Sequence, residues 1–175
     1  MDYRDTYIID LKSSDVNGKI FHFHEDDSFF AYLETDIEHG VLDTSVTVDG
    51  FGRNFTLTIH SEGMVLVPCD RCLADMELRI DTTDELVVKF GTEYVDEGDY
   101  VIVPEEEGTI DIAPLIYEFV MLSMPMKRVH QPGECDPAMM EILNRHLADR
   151  SGLEDEFELT EYDEEDEEEA EDENT

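Results

Sequence analysis

Hydrophobic and polar residues alternate with a period of two through much of the first two thirds of the chain. The alternation is clearest at residues 45–48 and 55–60, where Ser, Thr and His separate the apolar positions. A strand with this pattern buries one face and leaves the other in water, so the two segments and the Gly-containing turn between them predict a β-hairpin. We predict a second hairpin at residues 64–81 and shorter strands at residues 7–11, 20–24, 86–90 and 100–103.

The pattern changes to a helical period after residue 110. Apolar residues then recur at intervals of three and four, which places them on one stripe of a helix: Ile112, Leu115, Ile116, Phe119 and Val120. Asp111 is placed to cap this helix, and Pro125 to end it. A second helix is predicted from Asp136-Pro137 to near Gly152, with its apolar residues pointing inward: Met139, Ile142, Leu143 and Leu147.

The order of strands followed by helices predicts an α+β fold. We expect an antiparallel β-rich sheet or partial barrel with two C-terminal helices, contained in a single domain of residues 1–152. Residues 153–175 are predominantly acidic. A segment of that composition cannot bury enough apolar surface to offset the entropy lost on ordering, so we predict a disordered acidic tail.

The chain is strongly acidic, with 47 Asp and Glu residues, 11 Lys and Arg residues and a formal net charge of −36. Residues 154–175 hold 15 of the acidic residues and no Lys or Arg, and removing those 15 charges from −36 leaves −21 for the rest. Such a surface repels phosphate backbones, so we expect no autonomous binding to RNA or DNA. Basic proteins are the partners that this charge attracts.

The sequence also indicates the cellular compartment. The first residues do not show a basic segment followed by an apolar stretch, as a secretory signal would. No apolar run approaches the ~20 residues that a membrane-spanning helix needs. We therefore expect a cytoplasmic protein that does not engage a membrane, and the pattern does not indicate its oligomeric state.

Cys69 and Cys72 form a Cys-x-x-Cys pair between two predicted strands. Two thiolates at this spacing can bind one zinc ion, which takes four nitrogen or sulfur ligands in a tetrahedron. The remaining cysteine, Cys135, lies five residues after His130 at the end of a Pro-Gly loop. We predict that Cys69, Cys72, His130 and Cys135 surround a structural zinc.

Two other states of the cysteines stay open on this reasoning: thiols without a metal, and a redox pair. Arg71 between the thiols favours a thiolate. Thioredoxin-like pairs, however, precede a helix, whereas residues 73–81 have the pattern of a strand. In a reducing compartment a close pair is more often a metal or redox site than a structural disulfide.

Other candidate chemistry is weak. No nucleophile elbow and no glycine-rich phosphate loop occur in the sequence, so we predict no catalytic residues and no enzymatic activity. His22 and His24 would share one strand face, where two exposed histidines are commoner than a metal site. The adjacent basic pair Lys127-Arg128 can hold a carboxylate or meet a phosphate, but a solvated pair is the commoner outcome.

Two motifs carry a resemblance to a known family. The run VPCDRCL at residues 67–73 is followed about forty residues later by DIAPLIYE at residues 111–118, and then by Leu122 and Met124-Pro125. In this order and spacing the chain resembles the YceD family, the large ribosomal RNA subunit accumulation proteins, over about residues 41–135. Family members often carry a second cysteine pair after the helix, where this chain has His130 and Cys135.

The resemblance implies a non-enzymatic role in the accumulation of large-subunit ribosomal RNA and in assembly of the large subunit. Its partner would be a pre-large-subunit particle or a basic ribosomal protein. The charge of −36 adds the hypothesis that the chain is an acidic escort of such a protein. Two alternatives stay open: a Cys-x-x-Cys thiol redox protein, and a zinc-stabilised adaptor for the transcription machinery.

Overall fold

The computed structural model describes residues 6–98 and 100–150. These residues form eight strands and three helices in the order β1 (Ile8–Asp10), β2 (Lys19–Glu25), α1 (Asp27–Tyr32), β3 (Gly40–Phe51), β4 (Asn54–Pro68), β5 (Asp75–Gly91), β6 (Val95–Asp96), β7 (Tyr100–Pro104), β8 (Thr109–Asp111), α2 (Ala113–Ser123) and α3 (Pro137–Arg150). The strands precede the two longer helices, and the α+β prediction is confirmed.

A six-stranded sheet forms the centre of the fold, with its strands in the order β2-β3-β4-β5-β7-β6. The long strands pair antiparallel, so that Val46 of β3 lies opposite Ile59 of β4, and Ile59 lies opposite Asp84 of β5. Alternate residues of β4 are buried, as the period-two pattern predicts. The sheet is open, with β2 and β6 at its edges.

One pair of neighbouring strands is parallel, which the sequence pattern did not indicate. Val88 of β5 lies opposite Val101 of β7, and the two strands run in the same direction. β6 pairs antiparallel with β7 at the edge of the sheet. After β5 the chain therefore runs back along the edge as β6, and β7 then fills the position between β5 and β6. This path needs no long crossover, and alternation of period two looks the same in parallel and antiparallel strands.

A separate two-stranded sheet joins β1 to β8, with Ile9 opposite Ile110. α2 follows β8 and packs against β4 and β5. These elements cover one face of the large sheet and bury its apolar side chains. The largest fully buried side chains include Tyr7, Ile9, Leu11, Phe29, Phe30, Leu42, Leu57, Ile59, Ile80, Leu86, Ile112 and Ile116.

Three local features differ from the sequence-based predictions. Phe119 is half-buried at the edge of the α2 stripe, whereas Ile116 and Val120 are fully buried. The N-cap of α2 is Ile112, and Asp111 Oδ1 accepts a hydrogen bond from the Ala113 N–H at 3.0 Å without being the cap residue itself. Helix α1 was not predicted, because its six residues are too few to show a helical period.

The described residues separate into two compact units, one ending at Cys135 and the other starting at Asp136. In the second unit the Asp136 carboxylate accepts a hydrogen bond from the Met139 N–H at 2.8 Å, as expected of a helix cap. The prediction that Ile142 and Leu147 point inward is wrong, since they are 46% and 54% exposed on a helix whose positions are mostly exposed. The predicted acidic tail, residues 153–175, lies outside the described residues.

Candidate metal centre

The Cys-x-x-Cys pair lies in the turn between β4 and β5, residues 69–74, which we call the cysteine turn. The Cys69 N–H donates to the carbonyl of Ala74 and the Leu73 N–H donates to the carbonyl of Cys69, both at 2.9 Å. The Arg71 N–H points at Cys69 Sγ, 3.4 Å away. Cys69 and Cys72 are almost completely buried, at 0% and 2% exposed. The turn therefore holds two thiols in a fixed, dry position.

Two reciprocal hydrogen bonds between Asp70 and Arg128 join a second segment to this turn. The Asp70 N–H donates to the Arg128 carbonyl at 2.7 Å, and the Arg128 N–H donates to Asp70 Oδ2 at 2.6 Å. The Arg128 guanidinium also lies 3.8 Å from Asp70 Oδ1. The sequence favoured a solvated Lys127-Arg128 pair, whereas in the structure Arg128 contacts the carboxylate of Asp70. These contacts place the residues that follow Arg128 beside the thiols.

The structure brings all four predicted ligands together. One ligand atom from each of Cys69, Cys72, His130 and Cys135 lies within 4.8 Å of the others. Ligands about 2.3 Å from a common centre at tetrahedral angles are about 3.8 Å apart, so the cluster is of the right size for zinc. The ligands come from two segments about 60 residues apart in sequence, joined by the Asp70–Arg128 contacts.

The orientation of His130 suits coordination through Nδ1. His130 Nδ1 lies 3.4 Å from Cys72 Sγ, and Nε2 lies 3.3 Å from the carbonyl oxygen of Asp75. A carbonyl only accepts hydrogen bonds, so this contact assigns the proton to Nε2 and leaves the Nδ1 lone pair facing the sulfur atoms. A histidine ligand whose other nitrogen donates to a carbonyl is the usual arrangement around a metal.

The thiols of the cluster differ in acidity. Burial raises the pKa of Cys69, but hydrogen bonds from the backbone of His130, Cys72 and Arg71 outweigh it and bring the pKa down to about 5. Burial, together with hydrogen bonds to the neighbouring thiols, raises the pKa of Cys135 to about 11. The hydrogen bond with Cys69 raises the pKa of His130. One thiolate therefore forms readily, and a bound cation would be needed to ionise Cys135 at neutral pH.

The surroundings of the pair bear on the redox alternative. The cysteine turn links two strands, as the sequence pattern predicted, and no helix begins at either Cys69 or Cys72. Reactive cysteines are usually part-exposed so that a partner thiol can reach them, whereas all three cysteines here are buried. Three buried thiols and one half-buried imidazole match a closed structural zinc site more closely.

A buried polar cluster inside the sheet escaped the sequence analysis. Glu25 Oε2 accepts a hydrogen bond from Thr44 Oγ1 at 2.9 Å, and Thr44 Oγ1 lies 2.9 Å from Ser61 Oγ. Glu25 is 0% exposed, and its Oε1 has no hydrogen-bond partner among the described residues. Burial raises the pKa of Glu25 to about 7. The burial of Glu25 could have been predicted from its place in β2, because it follows Phe21 and Phe23 at alternate positions that face the core.

Fold and cluster together define an acidic α+β protein with an open sheet and a Cys3His site of a size suited to a metal. A family model described as large ribosomal RNA subunit accumulation protein YceD matches residues 57–174. The match covers most of the chain and all four candidate ligands, and the chain belongs to the YceD family. The family prediction made from residues 67–73 and 111–118 is confirmed.

A curated relative gives a shorter match. The chain is similar to a protein of Bacillus subtilis (strain 168) described as uncharacterized protein YlbN, with 36% identity over 75 residues. The matched stretch is 42% of this chain and 41% of the relative, so the chain spans about two fifths of the relative's length. No solved structure matches the chain. No helix in the described part of the chain is long and apolar enough to cross a membrane.

Proposed function

We propose that this chain is a cytoplasmic ribosome-biogenesis factor that supports accumulation of large-subunit ribosomal RNA without acting as an enzyme. The observation that carries the proposal is the family match over residues 57–174, since the family's description names the large ribosomal RNA subunit. In this role the chain acts on proteins or particles of the assembling large subunit.

The charge of the chain suggests how it would act. At −36 it is repelled by RNA and attracted to Lys- and Arg-rich proteins. A ribosomal protein held by this surface keeps its basic side chains covered until ribosomal RNA competes for them. The chain would therefore be an acidic escort that delivers a basic client, rather than an RNA-binding protein.

Affinity capture tests this role. The tagged full chain is recovered from cells, and the bound material is scored for precursors of the large subunit, free ribosomal proteins and RNA polymerase. We expect large-subunit precursors or proteins, released as salt is raised because exposed charge pairs are screened. Enrichment of RNA polymerase would favour the alternative of a zinc-stabilised transcription adaptor, and recovery of neither would contradict both.

The acidic tail has its own test within this proposal. Deletion of residues 154–175 removes 15 of the 47 acidic residues and should weaken capture of the client and flatten its salt dependence. The full chain, assayed at the same salt concentrations, is the reference. Unchanged binding at low salt would remove the tail from the mechanism.

We also propose that Cys69, Cys72, His130 and Cys135 hold a structural zinc. The convergence of their ligand atoms within 4.8 Å and the orientation of His130 support this. Such an ion would join the cysteine turn to the segment that follows α2, and it would ionise the thiol of Cys135. Its role would be to stabilise the fold, since four protein ligands leave no open position for a substrate.

Elemental analysis of protein purified without chelators tests the zinc site. We expect about one zinc per chain, and a large loss of zinc in the variant Cys69→Ser/Cys72→Ser. Ser123→Ala, which removes a hydroxyl outside the site, is a matched control and should retain the metal. Less than about 0.2 zinc per chain in the unmodified protein would contradict the proposal.

The lowered pKa of Cys69 favours a second candidate, a thiol redox protein. A reversible disulfide between Cys69 and Cys72 after mild oxidation, together with reductase activity, would support it. Burial of all three cysteines favours the zinc site instead. Thiol titration of the metal-containing and chelator-treated protein therefore separates the two candidates.

A further inference from the structure

On one face of the large sheet the described side chains are exposed or half-buried. We call the side chains of β2, β3, β4 and β5 that point away from the core the outer face. The strand register aligns its residues in rows that cross the sheet, and in one row Asp43 lies opposite Glu62 and Glu62 opposite Asp81. All three carboxylates are exposed. The outer face is thus a broad surface of four strands with acids aligned across it.

This row places like charges side by side. Directly opposed side chains have their Cβ atoms about 5 Å apart, a distance at which two carboxylates repel each other. His24 contacts Asp43 at 2.8 Å, and Arg79 lies 3.8 Å from Asp81. Within the described residues Glu62, at the centre of the row, has neither an ion pair nor a side-chain hydrogen bond. A cation brought to the row would relieve a repulsion that the folded chain itself leaves in place.

The negative charge continues along β5. Asp75, Glu77, Asp81 and Glu85 all point outward and are exposed, with Arg79 among them. Alternate residues of a strand are about 6.8 Å apart, so these acids form a stripe about 30 Å long. An extended segment with Lys or Arg at alternate positions has the same spacing and the opposite charge.

Exposed apolar side chains lie next to the acids. Val41 and Met64 face each other in the row beside Asp43 and Glu62, and they are 51% and 41% exposed. Ile20, on the same face of β2, is 52% exposed. Apolar contacts of this kind fit the stems of Lys and Arg side chains and the apolar residues between them. Nucleic acid, which presents phosphates, would be repelled here.

We propose that the outer face of β2–β5 is the surface that holds a Lys- and Arg-rich segment of a basic protein partner. This inference rests on the proposed escort function and assigns client binding to the folded sheet. The partner's cations would lie along the Asp43–Glu62–Asp81 row and the β5 stripe, and its apolar side chains would contact Val41 and Met64. The contact is charge-complementary and weakens with salt.

The test compares two full-length variants of equal net charge. The face variant Asp43→Asn/Glu62→Gln/Asp81→Asn neutralises the row, and the control variant Glu97→Gln/Glu106→Gln/Glu107→Gln neutralises three exposed acids elsewhere. The probes are the proteins extracted from purified large ribosomal subunits and, separately, a single-stranded RNA. We expect the face variant to bind the extracted proteins about tenfold more weakly, because three exposed charge pairs of ordinary strength are lost. The control should change binding less than about twofold.

Carbodiimide crosslinking keeps the test independent of variant stability. In the unmodified chain bound to the extracted proteins, crosslinks to client lysines should include Asp43, Glu62 or Asp81. Three results would overturn the proposal: an equal loss of binding in the face variant and the control variant, crosslinks found only outside the outer face, or binding of the RNA that is stronger than binding of the extracted proteins. If binding of the extracted proteins depends only on residues 154–175, the outer face is not the binding surface, and the escort function is retained. If the unmodified chain does not bind these proteins, both the outer-face proposal and the escort function are contradicted.

Discussion

Glu25 provides the sharpest test of the fold, because it is a carboxyl group that is fully buried on the core face of the sheet. It is 0% exposed, and within the described part of the chain only its Oε2 has a hydrogen-bond partner, Thr44 Oγ1 at 2.9 Å. The substitution Glu25→Gln keeps the shape of the side chain and an acceptor for Thr44, and it removes the charge. We expect this variant to be more stable than the unmodified chain at neutral and alkaline pH.

The magnitude follows from the pKa. Burial raises the pKa of Glu25 from 4.5 to about 7 in the folded chain. A carboxyl group with a raised pKa contributes its full stability below the unfolded value, and that stability is lost as pH rises towards and through the folded value. Each pKa unit corresponds to 1.36 kcal/mol, so ionisation of Glu25 costs about 3 kcal/mol once the pH exceeds about 7. Glu25→Gln does not incur this cost.

Urea unfolding of both proteins at several pH values between about 5 and 8 measures the effect. The free energy of unfolding of Glu25→Gln, relative to the unmodified chain, should rise by about 2–3 kcal/mol across this range. Glu77→Gln, at an exposed position of β5, is the matched control and should vary by less than about 0.5 kcal/mol. If the difference in free energy of unfolding between Glu25→Gln and the unmodified chain is the same at about pH 5 and about pH 8, Glu25 is not a buried carboxyl group that ionises in this range.

Two further predictions concern packing and the metal. Ile116→Ala removes a fully buried side chain of α2 and should lower the free energy of unfolding by about 3 kcal/mol. Phe119 is half-buried, so Phe119→Ala should lower it by less. An equal or larger decrease for Phe119→Ala would show that the apolar stripe of α2 is misplaced. A strong chelator should lower the melting temperature of the unmodified chain by at least about 5 °C and leave Cys69→Ser/Cys72→Ser unchanged, and equal responses would contradict a stabilising metal.

The sequence was informative where local pattern determines structure. Alternation in β4 marked its buried face, because side chains on a strand point alternately to opposite sides. The Cys-x-x-Cys spacing identified the cysteine turn, Cys135 is the one other cysteine of the sequence, and His130 lies five residues before it. The convergence of these four residues could therefore be predicted before their geometry was known.

Features that depend on tertiary context were missed. The parallel pairing of β5 with β7 leaves no mark in either strand, since the choice of neighbour is made by the path of β6. Phe119 matched the apolar stripe of α2 but lies at its edge, because burial depends on what the helix packs against. The cluster of Glu25, Thr44 and Ser61 arises only when β2, β3 and β4 align in register.

Register also connects the candidate metal centre to the outer face. Pro68 opposite Asp75 is the last pair of the β4–β5 ladder, and the cysteine turn follows it directly. His130 contacts the Asp75 carbonyl, so a metal bound by His130 and the cysteines would hold the end of this ladder in place. A slip of one residue would turn Glu62 and Asp81 towards the core and expose their buried neighbours. The ion would then serve the acidic surface by fixing which residues face the partner, without contacting the partner itself.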